Sequence, residues 1–265
     1  MSPSIAFVCC LLFPSIGTSH ELWIDSQQFQ VEKAQEFVGE LKNGENFEGI
    51  RLPFFERQFE QLSYDISELS PVLGRDGDLP AIRIQPETEG LMRVIYQSRK
   101  KTVTYRGMEK FTNFVKHKDL AWALDRHLEN AWPQDRFDEE YYRHSKALVA
   151  VGDAQGEDKV YGLRAEITAL DNPYTTPNTQ GLRLLLTEFS NPIPNGQIEV
   201  FERDKGGNVT VSLLKTDQNG VVTLPIKAGH DYLLDHVILT ELNPAENTSI
   251  YWRSDWAALT FSVPE

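Results

Sequence analysis

The stretch "GTSHELWIDS", residues 17–26, sets a histidine directly behind a run of small residues. Gly17 and Ser19 suit the −3 and −1 positions of a signal-peptidase site, which makes His20 the first residue of the processed chain. An N-terminal histidine offers two nitrogens at once. Its α-amine has a reference pKa near 8 and can shed a proton to a metal, and its imidazole stands on the same residue. Ni(II), Co(II) and Cu(II) favour such nitrogen ligands. The spacing therefore points to a divalent transition-metal site at His20; the rival reading is a histidine that happens to follow the cut.

The remaining ligands must come from elsewhere, and spacing restricts them. His117 and His127 are ten positions apart, about 80° out of register on one helix. His230 and His236 share a strand parity, but six residues of strand span about 20 Å. His144 follows Glu140 by four, so a helix would put them on one face as a solvated pair. His236 has the parity of Tyr232, Leu234 and Ile238, an inward face. As partners for His20 we expect His236 first and His144 second. Glu21 and Asp25 flank the site, but their parity sends them to the other strand face. The acids of "DEE" (138–140) suit a helix start.

No motif for enzyme chemistry is present: no Gly-x-Ser-x-Gly elbow, no phosphate loop, no His-Glu-x-x-His helix. No catalytic residue is assigned. Trp23, Trp252 and Trp256 have the faces to stack a sugar, although in a β protein they more often pack a core.

Composition narrows the class. "IAFVCCLLF" is too short to span a bilayer as a helix and reads as the apolar part of an export signal over residues 1–19. Both cysteines, Cys9 and Cys10, lie in it, so the processed chain has no disulfide and no thiolate site. With 26 basic and 39 acidic residues, a net charge of −13 argues against a nucleic-acid partner. No later run approaches membrane-spanning length. The expected location is the periplasm or another exported compartment.

The elements that must hold these residues are mostly strands. "ELWIDSQQFQV", "QEFVGEL", "RQFEQLSYDI" and "GLMRVIYQS" are β-leaning runs separated by turn residues. Phe111, Phe114, Val115, Leu120, Leu124 and Leu128 recur at helical spacing. A first β-sandwich over 20–152, with a helical insertion at about 108–145, is therefore expected. "DAQGEDK" (153–159) marks a boundary, and a second antiparallel sandwich should occupy 160–265. Asn219-Gly220, between "SLLKTD" and "VVTLPI", suits a tight hairpin. "YWRSDWAALTF" (251–261) should be a late core strand.

These segments, in this order, resemble a family of exported bacterial proteins of unknown function, often labelled periplasmic components of cobalt or nickel transport. The likeness runs over "HELWIDSQQF", "LKNGENFEGIRLP", "VIYQS", "KFTNFV", "YYRHSKALVAVG", "GLRAEITALDNPY", "TDQNGVVTLPIKAGHDYLL" and "WRSDWAALTF". The last third is also similar to transthyretin-like sandwiches, where a Thr-Asp-x-x-Gly turn is common. The resemblance implies an Ig-like β-sandwich, a nickel or cobalt ion and a membrane transporter component as partner. One departure is Ile238, where relatives carry a further histidine. The leading expectation is a non-enzymatic metal-binding protein. The alternatives are a structural or carbohydrate-binding module, or a copper oxidative enzyme with an N-terminal histidine.

Overall fold

The computed structural model describes residues 20–243 and 248–265. The expected export segment, 1–19, lies outside the described residues. The chain opens with strands β1 (Glu21–Asp25), β2 (Gln30–Val31), β3 (Phe37–Glu45), β4 (Glu48–Leu52) and β5 (Phe59–Asp65). Strands β6 (Leu69–Pro71), β7 (Ile82–Ile84), β8 (Gly90–Ser98) and β9 (Lys101–Tyr105) follow. Two helices, α1 (Glu109–His117) and α2 (Trp122–Glu129), lead into the long strand β10 (Phe137–Val151). Then come β11 (Glu166–Ala169), β12 (Leu182–Glu188), β13 (Asn191–Pro192), β14 (Gln197–Arg203) and β15 (Val209–Lys215). The last are β16 (Val221–Leu224), β17 (Asp231–Glu241) and β18 (Ile250–Ser262). The chain is mainly β, in several sheets with a few helices.

A central sheet runs in the order β15-β14-β17-β18-β10-β8-β5-β6, with β2 and β9 also on β10. Two small sheets pack on it: β1-β3-β4 with β7, and β11-β12-β13 with β16. Neighbouring residues of a strand point to opposite faces, and the cores use that alternation. Met92 and Val94 of β8, with Ala147 and Val149 of β10, join Ile24, Phe37 and Ile82 of the first small sheet. Leu91 and Leu148, next to them in sequence, join Ile167, Leu184 and Leu224 of the second. The small sheets thus cover opposite faces of one sheet. Each large apolar side chain fully buried in these cores stabilises by about 1.5–3 kcal/mol. Between the halves, β10 and β18 pair in parallel, from Glu139 opposite Trp252 to Ala147 opposite Thr260.

The helices are shorter than expected, and residues 137–151 are one strand. Asp138–Glu140 therefore start no helix, and Glu140 and His144 stand about 13 Å apart along β10 rather than one turn apart. The strand hides its pattern because polar side chains occupy both faces, each taken up by a tertiary partner. Glu139 accepts from Tyr105, Arg143 lies over Trp256, and His144 meets Asp255.

The "DQNG" turn forms, with Gly220 at φ 72°. The Asp217 carboxylate accepts the N–H groups of Asn219 and Val221. The expected hairpin does not form: β15 pairs with β14, and β16 with β12. The turn carries the chain from one sheet to another. Its geometry sets a reversal only, and burial decides the destination: Leu213 of β15 stays exposed while Leu224 of β16 enters the second core.

Candidate functional site

Strand β1 lies across the middle of the central sheet. Ser145 Oγ donates to the Leu22 carbonyl at 2.5 Å, and Thr260 Oγ1 to that of Ile24 at 2.7 Å. Where β1 begins, beside α1, a cavity of about 350 Å³ opens. His20 lines it from just ahead of β1, Lys110 and Phe114 from α1, and Tyr105, Arg143 and Trp256 from the central sheet. Phe114 and Trp256 stack at 5.5 Å between centroids, which fixes that wall.

The histidines part company here. His20 is half exposed, with Nδ1 3.4 Å from the Glu45 carboxylate. His144 is buried, its Nε2 3.0 Å from Asp255. His236 donates through Nδ1 to the Gln197 carbonyl at 2.7 Å, and burial pulls its pKa down. His144 and His236 both stand opposite Ala257 of β18, one from each side. They therefore share a face, two strand spacings or about 10 Å apart, and that face carries the second core, which includes Ala257. His20 belongs with β1 on the other face. The expected ligand set of His20, His236 and His144 is thus not brought together: strand parity puts a sheet between them. Each of the other histidines has its own partner, Glu199 for His117, the Pro133 carbonyl for His127 and Glu202 for His230.

Behind His20 the fold builds a cluster that sequence spacing does not disclose. Lys118 Nζ, just past the end of α1, lies 2.9 Å from Glu21, 2.6 Å from Glu199 and 2.9 Å from Asp235. Among the described residues these three acids alone come together as a metal could need. An ammonium already occupies their centre, so they form a buried ion network. His117 Nε2 adds a contact to Glu199 at 3.0 Å. Positions 21, 118, 199 and 235 come from four separate elements, and no local pattern links them. The one usable hint is that Glu21 has the opposite parity to His20.

The electrostatics of the network are divided. Burial opposes the charge of Glu199, but hydrogen bonds from His117 and the charge of Lys118 outweigh it and hold the carboxyl down to about 2. Burial dominates at Glu21, against the pull of Lys118, and pushes it up to about 7. Lys118 stays charged because three carboxylates outweigh the cost of its burial. A carboxyl whose folded pKa is raised contributes stability below its unfolded value, lost as pH rises through the folded one. For Glu21 that window runs from 4.5 to about 7. Glu21→Gln should match the parent protein near pH 4.5 and exceed it in stability at pH 8, in denaturant titrations at both. A constant difference would contradict the assignment.

The three tryptophans considered for sugar stacking, Trp23, Trp252 and Trp256, are core residues. Trp23 and Trp252 are fully buried and Trp256 nearly so, which leaves no free face for a sugar. Trp252 Nε1 donates to His127 Nδ1 at 3.1 Å, inside the cluster that ties α1 and α2 to the sheet.

Fold and site define a mainly β, multi-sheet protein whose cavity lies where β1, α1 and the central sheet meet. The chain belongs to the family described as a domain of unknown function (DUF4198), which matches residues 18–239. No curated protein matches it. Among solved structures it is similar to the D0-D1 domain of intimin, at 11% identity and a TM-score of 0.21, over 92% of this chain and 98% of that one. It is also similar to a tetra-tandem repeat in the extending region of a large adhesion protein. There the identity is 13% and the TM-score 0.20, over 92% of this chain and 49% of that one. No helix among the described residues is long and apolar enough to cross a membrane.

Proposed function

We propose that this is an exported, non-enzymatic binding protein that takes a divalent transition metal, nickel or cobalt with copper as a further candidate, at a processed His20. The carrying observation is the position of His20: a half-exposed side chain on the cavity rim, 3.4 Å from Glu45. Once the chain begins at His20, the amine and the ring chelate together, and the Glu45 carboxylate supplies an oxygen. Lys118 holds the adjacent Glu21, which fixes the start of β1. A membrane transporter component is the proposed recipient of the ion. The cavity speaks against the copper enzyme, because a histidine pair is needed and none of the other five histidines lines it. The buried tryptophans speak against the sugar-binding module.

The test is calorimetry with Ni(II) and Cu(II). A chain beginning at His20 should bind, and one with a single residue ahead of it should fold alike but lose most of the affinity, since an amide nitrogen has no basic lone pair at neutral pH. His20→Ala should lose as much, while His127→Ala should keep its metal affinity. Because the ligands must shed protons, affinity should fall as pH drops below about 7. Equal affinity in the extended and unextended chains would end the reading.

A further inference from the structure

Four lysine and arginine side chains are buried among the described residues: Arg93, Lys118, Arg143 and Lys146. Three have acids. Arg93 meets Asp65 at 2.7 Å, Lys146 meets Asp158 at 2.8 Å and Glu166 at 3.2 Å, and Lys118 has its three carboxylates. Arg143 has none. Among the described residues no carboxylate comes within ion-pair distance of its guanidinium, and its Nη1 is enclosed without a hydrogen-bond partner. Aromatic rings hold it instead: its guanidinium carbon is 3.8 Å from the Trp256 centroid and 5.2 Å from that of Tyr141. Rings attract the cation but use none of the five N–H donors in its plane. A buried charge without a partner is costly, and this one lines the cavity beside His20.

We propose that this cavity binds a small organic carboxylate, anchored by the Arg143 guanidinium. A carboxylate suits the fork geometry of a guanidinium and can take two of its donors at once. The surrounding acids do not compete. Glu21 and Asp235 act on Arg143 across space but are engaged by Lys118. Glu139, which also lines the cavity, accepts from Tyr105 and Ser254, and burial raises its pKa toward the neutral form. Lys110 adds a second cation at the mouth. The walls decide between organic and inorganic anions: the rings of Tyr105, Phe114 and Tyr141 line the cavity and suit an apolar body, which a bare phosphate lacks. A volume of about 350 Å³ accommodates an ion the size of benzoate or citrate. The proposal stands apart from metal binding at His20.

The experiment is calorimetry and tryptophan fluorescence on the chain beginning at His20, with chelator present, titrated with benzoate, citrate and inorganic phosphate. At least one carboxylate should bind saturably and change the fluorescence. Arg143→Met should lose on the order of 10–100-fold in affinity, the worth of a charge-assisted hydrogen bond. If that variant does not fold, exposed Lys110 decides: Lys110→Glu should weaken the carboxylate several-fold at unchanged melting temperature. Absence of saturable carboxylate binding, binding of phosphate alone, or equal affinity in parent and variants would each overturn the proposal. Chelator keeps the two readings separable, because carboxylate binding without metal leaves this site standing whatever His20 does.

Discussion

Lys118→Met should destabilise the protein by about 3–5 kcal/mol, the range for breaking a buried ion pair by removing one partner. The methionine keeps the length of the side chain, so little of the loss comes from a void. It comes from Glu21, Glu199 and Asp235, which would face one another without the ammonium that lies within 2.9 Å of each. Their folded pKa values should rise, and a raised carboxyl contributes stability at low pH that is lost as pH increases. The defect should therefore grow with pH, being smaller near pH 4 than at pH 8. Adding Glu21→Gln should recover part of the loss at pH 8 by removing one of the three repelling charges. Chemical denaturation of the single and double variants at both pH values measures all of this. A loss under about 1 kcal/mol at pH 8 would show the network to be solvated and unimportant.

Trp252→Ala should cost about 3–5 kcal/mol, as truncation of large core aromatics generally does. Trp252 is fully buried and packs against Phe111, Trp122, His127 and Trp132. Its loss would also leave His127 Nδ1 without a donor. Because this cluster holds α1 against the sheet, the variant should loosen the cavity wall that carries Lys110 and Phe114. Hydrogen exchange should show faster exchange in α1 and α2 than in β12 and β16, which pack in the separate second core. Uniform acceleration through the chain would mean that the helices are not an independently supported layer. Trp252→Phe should restore most of the stability without the hydrogen bond.

What could be read in the residues was set by local periodicity. Phe111, Phe114 and Val115 fall at helical spacing, and α1 buries those three. The run "YWRSDWAALTF" is rich in aromatic and aliphatic groups, and β18 carries Trp252, Trp256 and Phe261 into the cores. Small residues before His20 led to the expectation of a processed N-terminus there, and the fold puts His20 in the lining of a cavity. Tertiary structure decided everything that depends on which strands meet. His144 and His236 share a row of one sheet because β18 lies between β10 and β17, and no spacing in the chain encodes that neighbour. The arms of the Asn219-Gly220 turn separate for the same reason: a turn fixes a reversal, whereas long-range burial selects the sheet. Strand β10 resisted reading because the partners of several of its polar side chains lie more than 30 residues away, such as Tyr105 for Glu139 and Asp255 for His144. Arg143 shows the limit most plainly. In sequence it is one arginine among the charged residues of "YYRHSK"; only the packed sheet buries it against Trp256, in the wall of a cavity and with Nη1 unpartnered, because burial is a property of the assembled surface and of no segment alone.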